Sequence, residues 1–164
     1  MRRQFLKYSS FKDVRLEDIV PPTQQEKFVR GDAKMFSSVL LKNNGQGEMT
    51  IRPLPTEAQL FPIFSFCIDD LNGDGKLDIM AIGNFDATQP EFGRYDAGYG
   101  VVLLAGNGDF ISVAPQKSGF ILRGEGRDIK VVTSAKKEKI YVTARNNAGL
   151  SLFNGSSVKR LVIE

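Results

Sequence analysis

Asp70-Leu71-Asn72-Gly73-Asp74-Gly75-Lys76-Leu77-Asp78 places oxygen-bearing side chains at positions 1, 3, 5 and 9 of one short run. Gly75 at position 6 permits a sharp turn, and the backbone carbonyl of Lys76 falls at position 7. That is the ligand order of a calcium loop. Calcium is a hard cation that takes about six to eight oxygens, so three carboxylates, one amide and one backbone carbonyl suit it. Thiolate and imidazole metals find no ligand set, because the chain has no His and a single Cys, Cys67. The expected ion is Ca2+, and its expected ligands are Asp70, Asn72, Asp74, Lys76 and Asp78.

An EF-hand is excluded by one residue and by the flanks. Its bidentate Glu belongs at position 12, where this chain has Ala81. Ile63-Phe64-Ser65-Phe66-Cys67-Ile68 precedes the loop, and Ile79-Met80-Ala81-Ile82 follows it. Both runs are short, rich in β-branched and aromatic residues and bounded by turn residues, so they read as buried strands. The loop then joins two strands, with Asp78 closing it from the start of the second. An ordinary Asx or Gly turn would need only one or two such residues, for local reasons. Four oxygen side chains at alternating positions exceed that need.

These residues resemble the FG-GAP or VCBS repeat of calcium-binding β-propellers, the type that forms integrin α-subunit heads. The resemblance also takes in Leu41-Lys42-Asn43-Asn44-Gly45-Gln46-Gly47, Pro53-Leu54-Pro55-Thr56-Glu57-Ala58-Gln59, Gly83-Asn84-Phe85 and Gly93-Arg94-Tyr95-Asp96-Ala97-Gly98-Tyr99-Gly100. Together they look like the closing repeats of large bacterial VCBS-repeat proteins, relatives of the ASPIC/UnbV group, over roughly residues 36 to 153. The resemblance implies a propeller, structural calcium, and an extracellular, periplasmic or outer-surface location.

The rest of the chain supplies elements to carry such a loop. Hairpins are expected from 36–42 with 48–53, 63–68 with 77–83, 99–105 with 109–114, 128–133 with 139–144, and 150–153 with 158–163. Short strands at regular spacing indicate an all-β sandwich, barrel or propeller. Leu40-Leu41-Lys42-Asn43-Asn44-Gly45 recurs as Leu103-Leu104-Ala105-Gly106-Asn107-Gly108, and more weakly as Leu150-Ser151-Leu152-Phe153-Asn154-Gly155. One period holds four strands, the content of a propeller blade. The expected fold is all-β: a partial β-propeller of about two and a half four-stranded antiparallel blades. Residues 1–35 form an extension or insertion, 36–62 the outer half of a blade, 63–115 the calcium blade and 116–164 a terminal blade without a calcium loop. Closed propellers use about four to eight blades. The expected partners are therefore the remaining blades of a parent propeller, or further copies of this chain.

Residues 1–35 read as a short helical or irregular segment. Phe11 to Val20 has amphipathic helical spacing that Pro21-Pro22 would end, and Thr23-Gln24-Gln25-Glu26 reads as a capping box. Met1 to Lys7 lacks the apolar run of a signal peptide, and no stretch is apolar enough for a transmembrane helix. The net charge of +3 hides an uneven distribution. Residues 66–110 hold two basic and eight acidic side chains, whereas 111–164 hold ten basic and four acidic. A divalent ion in the acidic block would relieve its repulsion. In the basic block, charges alternate with apolar residues as on half-exposed strands, so a nucleic-acid surface is not expected.

Glu91, Arg94, Tyr95 and Asp96 lie in a long connection, a place where function concentrates. Arg94 offers a planar fork and Tyr95 a stacking face to a protein or carbohydrate ligand. Arg30-Gly31-Asp32 is a tripeptide motif of low specificity. Cys67, inside an apolar run, reads as a small core hydrophobe. No His base, nucleophile elbow or phosphate loop is present. The expectation is a non-catalytic binding or scaffolding module of a secreted or surface-attached bacterial protein. The alternative is an accessory part of a larger enzyme, such as one acting on polysaccharide, with its catalytic residues outside this chain.

Overall fold

The computed structural model describes residues 7–20, 22–25, 27, 29 and 31–155. They fall into two compact units, Met1–Phe36 and Ser37–Glu164. No helix among the described residues is long and apolar enough to cross a membrane.

The first unit contains three single helical turns, α1 (Tyr8–Phe11), α2 (Leu16–Ile19) and α3 (Pro22–Gln25). The single helix expected over 11–20 is therefore broken. The Val14 N–H bonds back to the Phe11 carbonyl at 3.1 Å, closing the first turn. The Asp18 carboxylate reaches back to the Arg15 N–H at 2.9 Å and starts a new one. Helices this short gain little from their own bonds, so a local side-chain bond can reset them. α3 opens on Pro22, which suits the first helical position better than Thr23 does. Glu26 of the expected capping box and Arg30 of the tripeptide lie outside the described residues.

The second unit is built of short antiparallel strands, as an all-β reading requires. β1 (Val39–Asn43) and β2 (Met49–Pro53) form a hairpin. β3 (Ile63–Asp69), β4 (Asp78–Gly83), β5 (Val101–Ala105) and β6 (Phe110–Val113) form a sheet in sequence order. β7 (Gly126–Thr133), β8 (Lys139–Arg145) and β9 (Ala148–Asn154) form a third sheet, again in sequence order. Of the last expected hairpin, only the first strand lies within the described residues, in β9. β9 pairs with β8, with Tyr141 opposite Phe153, by way of an Asn146-Asn147 turn. Asn147 takes φ 52°, a conformation Asn tolerates better than most residues. The expected strand 158–163 lies outside the described residues.

β4 and β5 are covered on both faces, which is why their sequences are continuous apolar runs. Met80, Ile82, Val102 and Leu104 face a core with Leu71, Phe120, Leu122, Ile129 and Tyr141. Ala81, Val101 and Leu103 face a second core with Ala58 and Phe61. The first core joins the four-stranded sheet to β7–β9, and the second joins it to the segment that follows β2. Burying a Leu, Ile, Phe or Met side chain stabilises by roughly 1.5–3 kcal/mol, so these layers hold the hairpins in place.

Candidate metal centre

Alternation along β3 decides how the acidic loop is mounted. Ser65, Cys67 and Asp69 share one face and Phe66 and Ile68 the other, while the register irregularity between Ile63 and Ser65 sets Phe64 beside Phe85 and Arg127. The first face meets β7 and β8. Ser65 Oγ donates to Asp128 Oδ1 at 2.9 Å, and Cys67 packs against the first core. Tyr141 Oη donates to Asp69 Oδ2 at 2.8 Å, and Lys139 Nζ donates to Asp69 Oδ1. Burial raises the Asp69 pKa, but the hydrogen bonds from Lys139 and Tyr141 and the Lys139 charge outweigh it, and the net shift is downward. Burial, reinforced by the Asp69 charge, pushes the Cys67 thiol up to about 11. Cys67 is therefore a protonated packing residue at neutral pH.

Past Asp69 the chain turns around the side chain of Asp70. Its Oδ1 accepts the N–H groups of Gly73 at 2.7 Å and Asp74 at 3.1 Å, and its Oδ2 accepts that of Gly75 at 3.0 Å. Gly73 at φ 82° and Gly75 at φ 83° supply the left-handed conformations that aim those N–H groups inward. Asn72 Oδ1 accepts the Asp74 N–H at 3.1 Å, and Asn72 Nδ2 donates to Asp74 Oδ2 at 3.2 Å. Asp74 Oδ1 accepts the Lys76 N–H at 2.8 Å, the principal reason its carboxyl is held below the usual range. Asp74 and Lys76 are exposed, while Leu71 is only 1% exposed and anchors the turn in the first core.

Asp78 sits beneath the loop and is fully buried. Its Oδ2 accepts the Leu71 N–H at 2.9 Å, and its Oδ1 accepts the Ala105 N–H at 2.8 Å. It thus ties the start of the loop to the end of β5. The five expected ligands lie on one hairpin, but two layers separate them: Asp70, Asn72, Asp74 and Lys76 form the turn, and Asp78 its foot. Among the described residues, no three acidic, His or Cys side chains converge tightly enough to hold a metal ion. The donor chemistry still fits calcium. Asp70 Oδ2, Asp74 Oδ1 and both Asp78 oxygens each accept one backbone N–H and keep a further lone pair, Asp70 Oδ1 accepts two, and Asn72 and the Lys76 carbonyl add neutral oxygens.

The other proposed surface lies on the connection from β4 to β5. Glu91, Arg94, Tyr95 and Asp96 are all exposed there. The connection is pinched by a two-way bond between Phe85 and Tyr95, each N–H meeting the other's carbonyl at 2.9 Å. Tyr95 is therefore fixed by its backbone, and the residue is 54% exposed.

Sequence reading missed a polar junction at the base of this connection. Glu125, 6% exposed, accepts the Asp86 N–H at 2.7 Å, Arg127 Nη2 at 2.8 Å and Asn146 Nδ2 at 2.5 Å. The Asp86 N–H is the foremost reason the Glu125 carboxyl titrates low. The Arg127 guanidinium lies 4.2 Å from the centre of the Phe64 ring. Asn84, at φ 79° and 2% exposed, donates to the carbonyls of Gly98 at 2.7 Å and Gly124 at 3.1 Å. Gly83-Asn84 was the only legible signal, a turn pair closing an apolar strand; nothing local marks Glu125 or Asn146 as its neighbours. The chain matches no family model, no curated protein and no solved structure.

Proposed function

We propose that this chain is a calcium-binding segment of a β-propeller. It acts as a non-catalytic binding or scaffolding module of a secreted or surface-attached bacterial protein. The observation that carries the reading is the mounting of the 70–78 loop. Asp70, Asn72 and Asp74 gather at the turn between β3 and β4, and the glycines there hold the backbone in a shape that points N–H groups at Asp70. Asp74 has one backbone bond and otherwise faces solvent beside Asn72, a placement that turn closure does not require. Asp70, Asn72, Asp74, the Lys76 carbonyl and Asp78 would hold the ion. Bound calcium supplies positive charge that offsets the repulsion among the carboxylates.

The meander order of β3–β6 and β7–β9 supports the blade reading, and their sandwiching of shared cores supports neighbouring blades. β3 leaves Phe66 and Ile68 more than half exposed. Beside them is an apolar cleft of about 390 Å³, lined by residues that include Leu40, Leu54, Phe66, Ile68 and Ile79. That open face supports a role as part of a larger propeller whose remaining blades complete the array.

Calorimetric titration of the chain with calcium chloride tests the reading. Saturable binding with Kd of about 10⁻⁴ to 10⁻³ M is expected, the range of extracellular calcium modules. Binding should be lost in Asp74→Ala. No binding by the wild type, or unaltered binding by the variant, contradicts the reading.

A further inference from the structure

Four Asn-Gly pairs occur in the chain, at 44–45, 72–73, 107–108 and 154–155. An asparagine followed by glycine can cyclise. The glycine amide nitrogen attacks the asparagine side-chain carbon, and the missing Cβ leaves the approach open. The attack needs a glycine N–H released from its acceptor and a side-chain amide free to turn. Hydrogen bonds to either group therefore protect the pair.

Three of the pairs are held. Gly45 N–H donates to Asn43 Oδ1 at 2.8 Å. Asn44 Oδ1 accepts the N–H groups of Gln46 at 2.8 Å and Glu48 at 3.2 Å, and Asn44 Nδ2 donates to Glu48 Oε2 at 3.0 Å. Gly73 N–H donates to Asp70 Oδ1 at 2.7 Å, and the Asn72 amide bonds to Asp74 through both its oxygen and its nitrogen. Asn154 ends β9 paired with Ile140, and Gly155 is buried, with the Lys139 carbonyl 3.0 Å from where a Cβ would lie. Asn107-Gly108 differs. It is the exposed tip of the β5–β6 turn, which the Gly106 N–H closes on the Asp109 carbonyl at 2.8 Å. The Asn107 side chain makes no hydrogen bond among the described residues. Gly108 N–H meets the Gly106 carbonyl at 3.0 Å, a bond confined to a three-residue turn.

We propose that Asn107-Gly108 is a site of spontaneous deamidation and isoaspartate formation. The Gly108 nitrogen loses its proton to solvent base and bonds to Asn107 Cγ. The bond from Cγ to the side-chain nitrogen breaks, and ammonia leaves. Water then adds to either ring carbonyl and breaks its bond to the ring nitrogen, giving aspartate or isoaspartate. The net reaction consumes one water and releases one ammonia, with no oxidation or reduction. Either product puts a new carboxylate near Asp109, which pairs with Arg52 of β2 at 3.2 Å. The turn that ages is thus the one that the β1–β2 hairpin reaches through Arg52.

The test is peptide mapping by mass spectrometry of the full chain, aged in mildly alkaline buffer both natively and in guanidinium chloride. In denaturant all four pairs should convert at similar rates. In the native chain Asn107 should convert nearly as fast as when unfolded. Asn44 and Asn72 should slow by about tenfold or more, because several hydrogen bonds must open first. Asn43→Ala, at an exposed site, frees the Gly45 N–H and should speed conversion of Asn44 by about threefold or more. Asn107→Ser should remove the main acidic species that native ageing produces on ion-exchange chromatography. Protection of native Asn107 as strong as that of Asn72 would overturn the proposal. So would an acidic species that persists in Asn107→Ser, or an Asn44 rate unchanged by Asn43→Ala.

Discussion

Between β3 and β4 the chain turns through Asp70–Leu77, and between β7 and β8 it turns through Ser134–Glu138. The second turn closes with backbone bonds, Ser134 N–H to the Glu138 carbonyl at 2.8 Å and Lys137 N–H to the Ser134 carbonyl at 2.9 Å. One hydroxyl, Ser134 Oγ, accepts the Glu138 N–H at 3.2 Å, and Lys137 tolerates φ 61°. The first turn uses four side-chain acceptors for similar work. An opening turn of a meander in this fold therefore needs no acidic cluster. Within the acidic turn the acids are also unequal: Asp70 and Asp78 organise backbone, whereas Asp74 does little that the basic turn cannot do without.

The largest expected effect tests that inequality. Asp78→Ala removes the acceptor for two N–H groups at a fully buried site, and should lower stability by about 3–5 kcal/mol in urea unfolding. A loss as small as that of a surface residue would show Asp78 to be dispensable to the fold. Next comes the anchoring of each turn. Leu71→Ala should cost about 2–4 kcal/mol by opening a cavity, while Lys136→Ala in the basic turn should stay within about 0.5 kcal/mol. Similar costs for the two would erase the distinction between a rooted turn and a superficial one.

Glycine placement gives an effect of opposite sign in the two turns. Gly75→Ala should destabilise by about 1 kcal/mol, and Lys137→Gly should stabilise by about 0.5 kcal/mol, because both positions are left-handed and only one has glycine. Thermal unfolding of both variants checks the pair. The subtlest difference is in pH. The folded Asp69 carboxyl titrates below its usual value, so its contribution is complete above about pH 4 and is lost as pH falls through the lowered folded pKa. Asp69→Asn should flatten that acid limb in unfolding experiments at pH 2–5, and Lys136→Ala should leave it unchanged.

How much of this was legible in the residues follows from the range of each interaction. The loop, its strands and its glycines are local in sequence, so spacing alone marked them. Ile79–Ile82 marked β4 as a buried strand, whereas Ile63–Ile68, read the same way, forms β3 with Phe64, Phe66 and Ile68 half-exposed, the last two on a face that no described residue covers. Phe11–Val20 misled because periodicity does not register that Asp18 bonds back to Arg15 and resets the helix. β9 pairs with β8, as consecutive strands of the expected blade do, through the Asn146-Asn147 turn, and its expected partner 158–163 lies outside the described residues. Burial of Asp78 under β5, and of Glu125 against Asp86 and Asn146, joins residues far apart in the chain and leaves no local pattern.

The contrast between the turns comes to a point at Asp74, whose removal should cost less than about 0.5 kcal/mol in calcium-free buffer. The decisive measurement is the melting temperature of the wild type and of Asp74→Ala, each at 10 mM calcium and in excess chelator. With Kd of 10⁻⁴ to 10⁻³ M, calcium should raise the wild-type value by roughly 5–10 °C and leave Asp74→Ala unmoved. Equal responses of the two proteins, or none from the wild type, would contradict the assignment of the acidic turn as a calcium site.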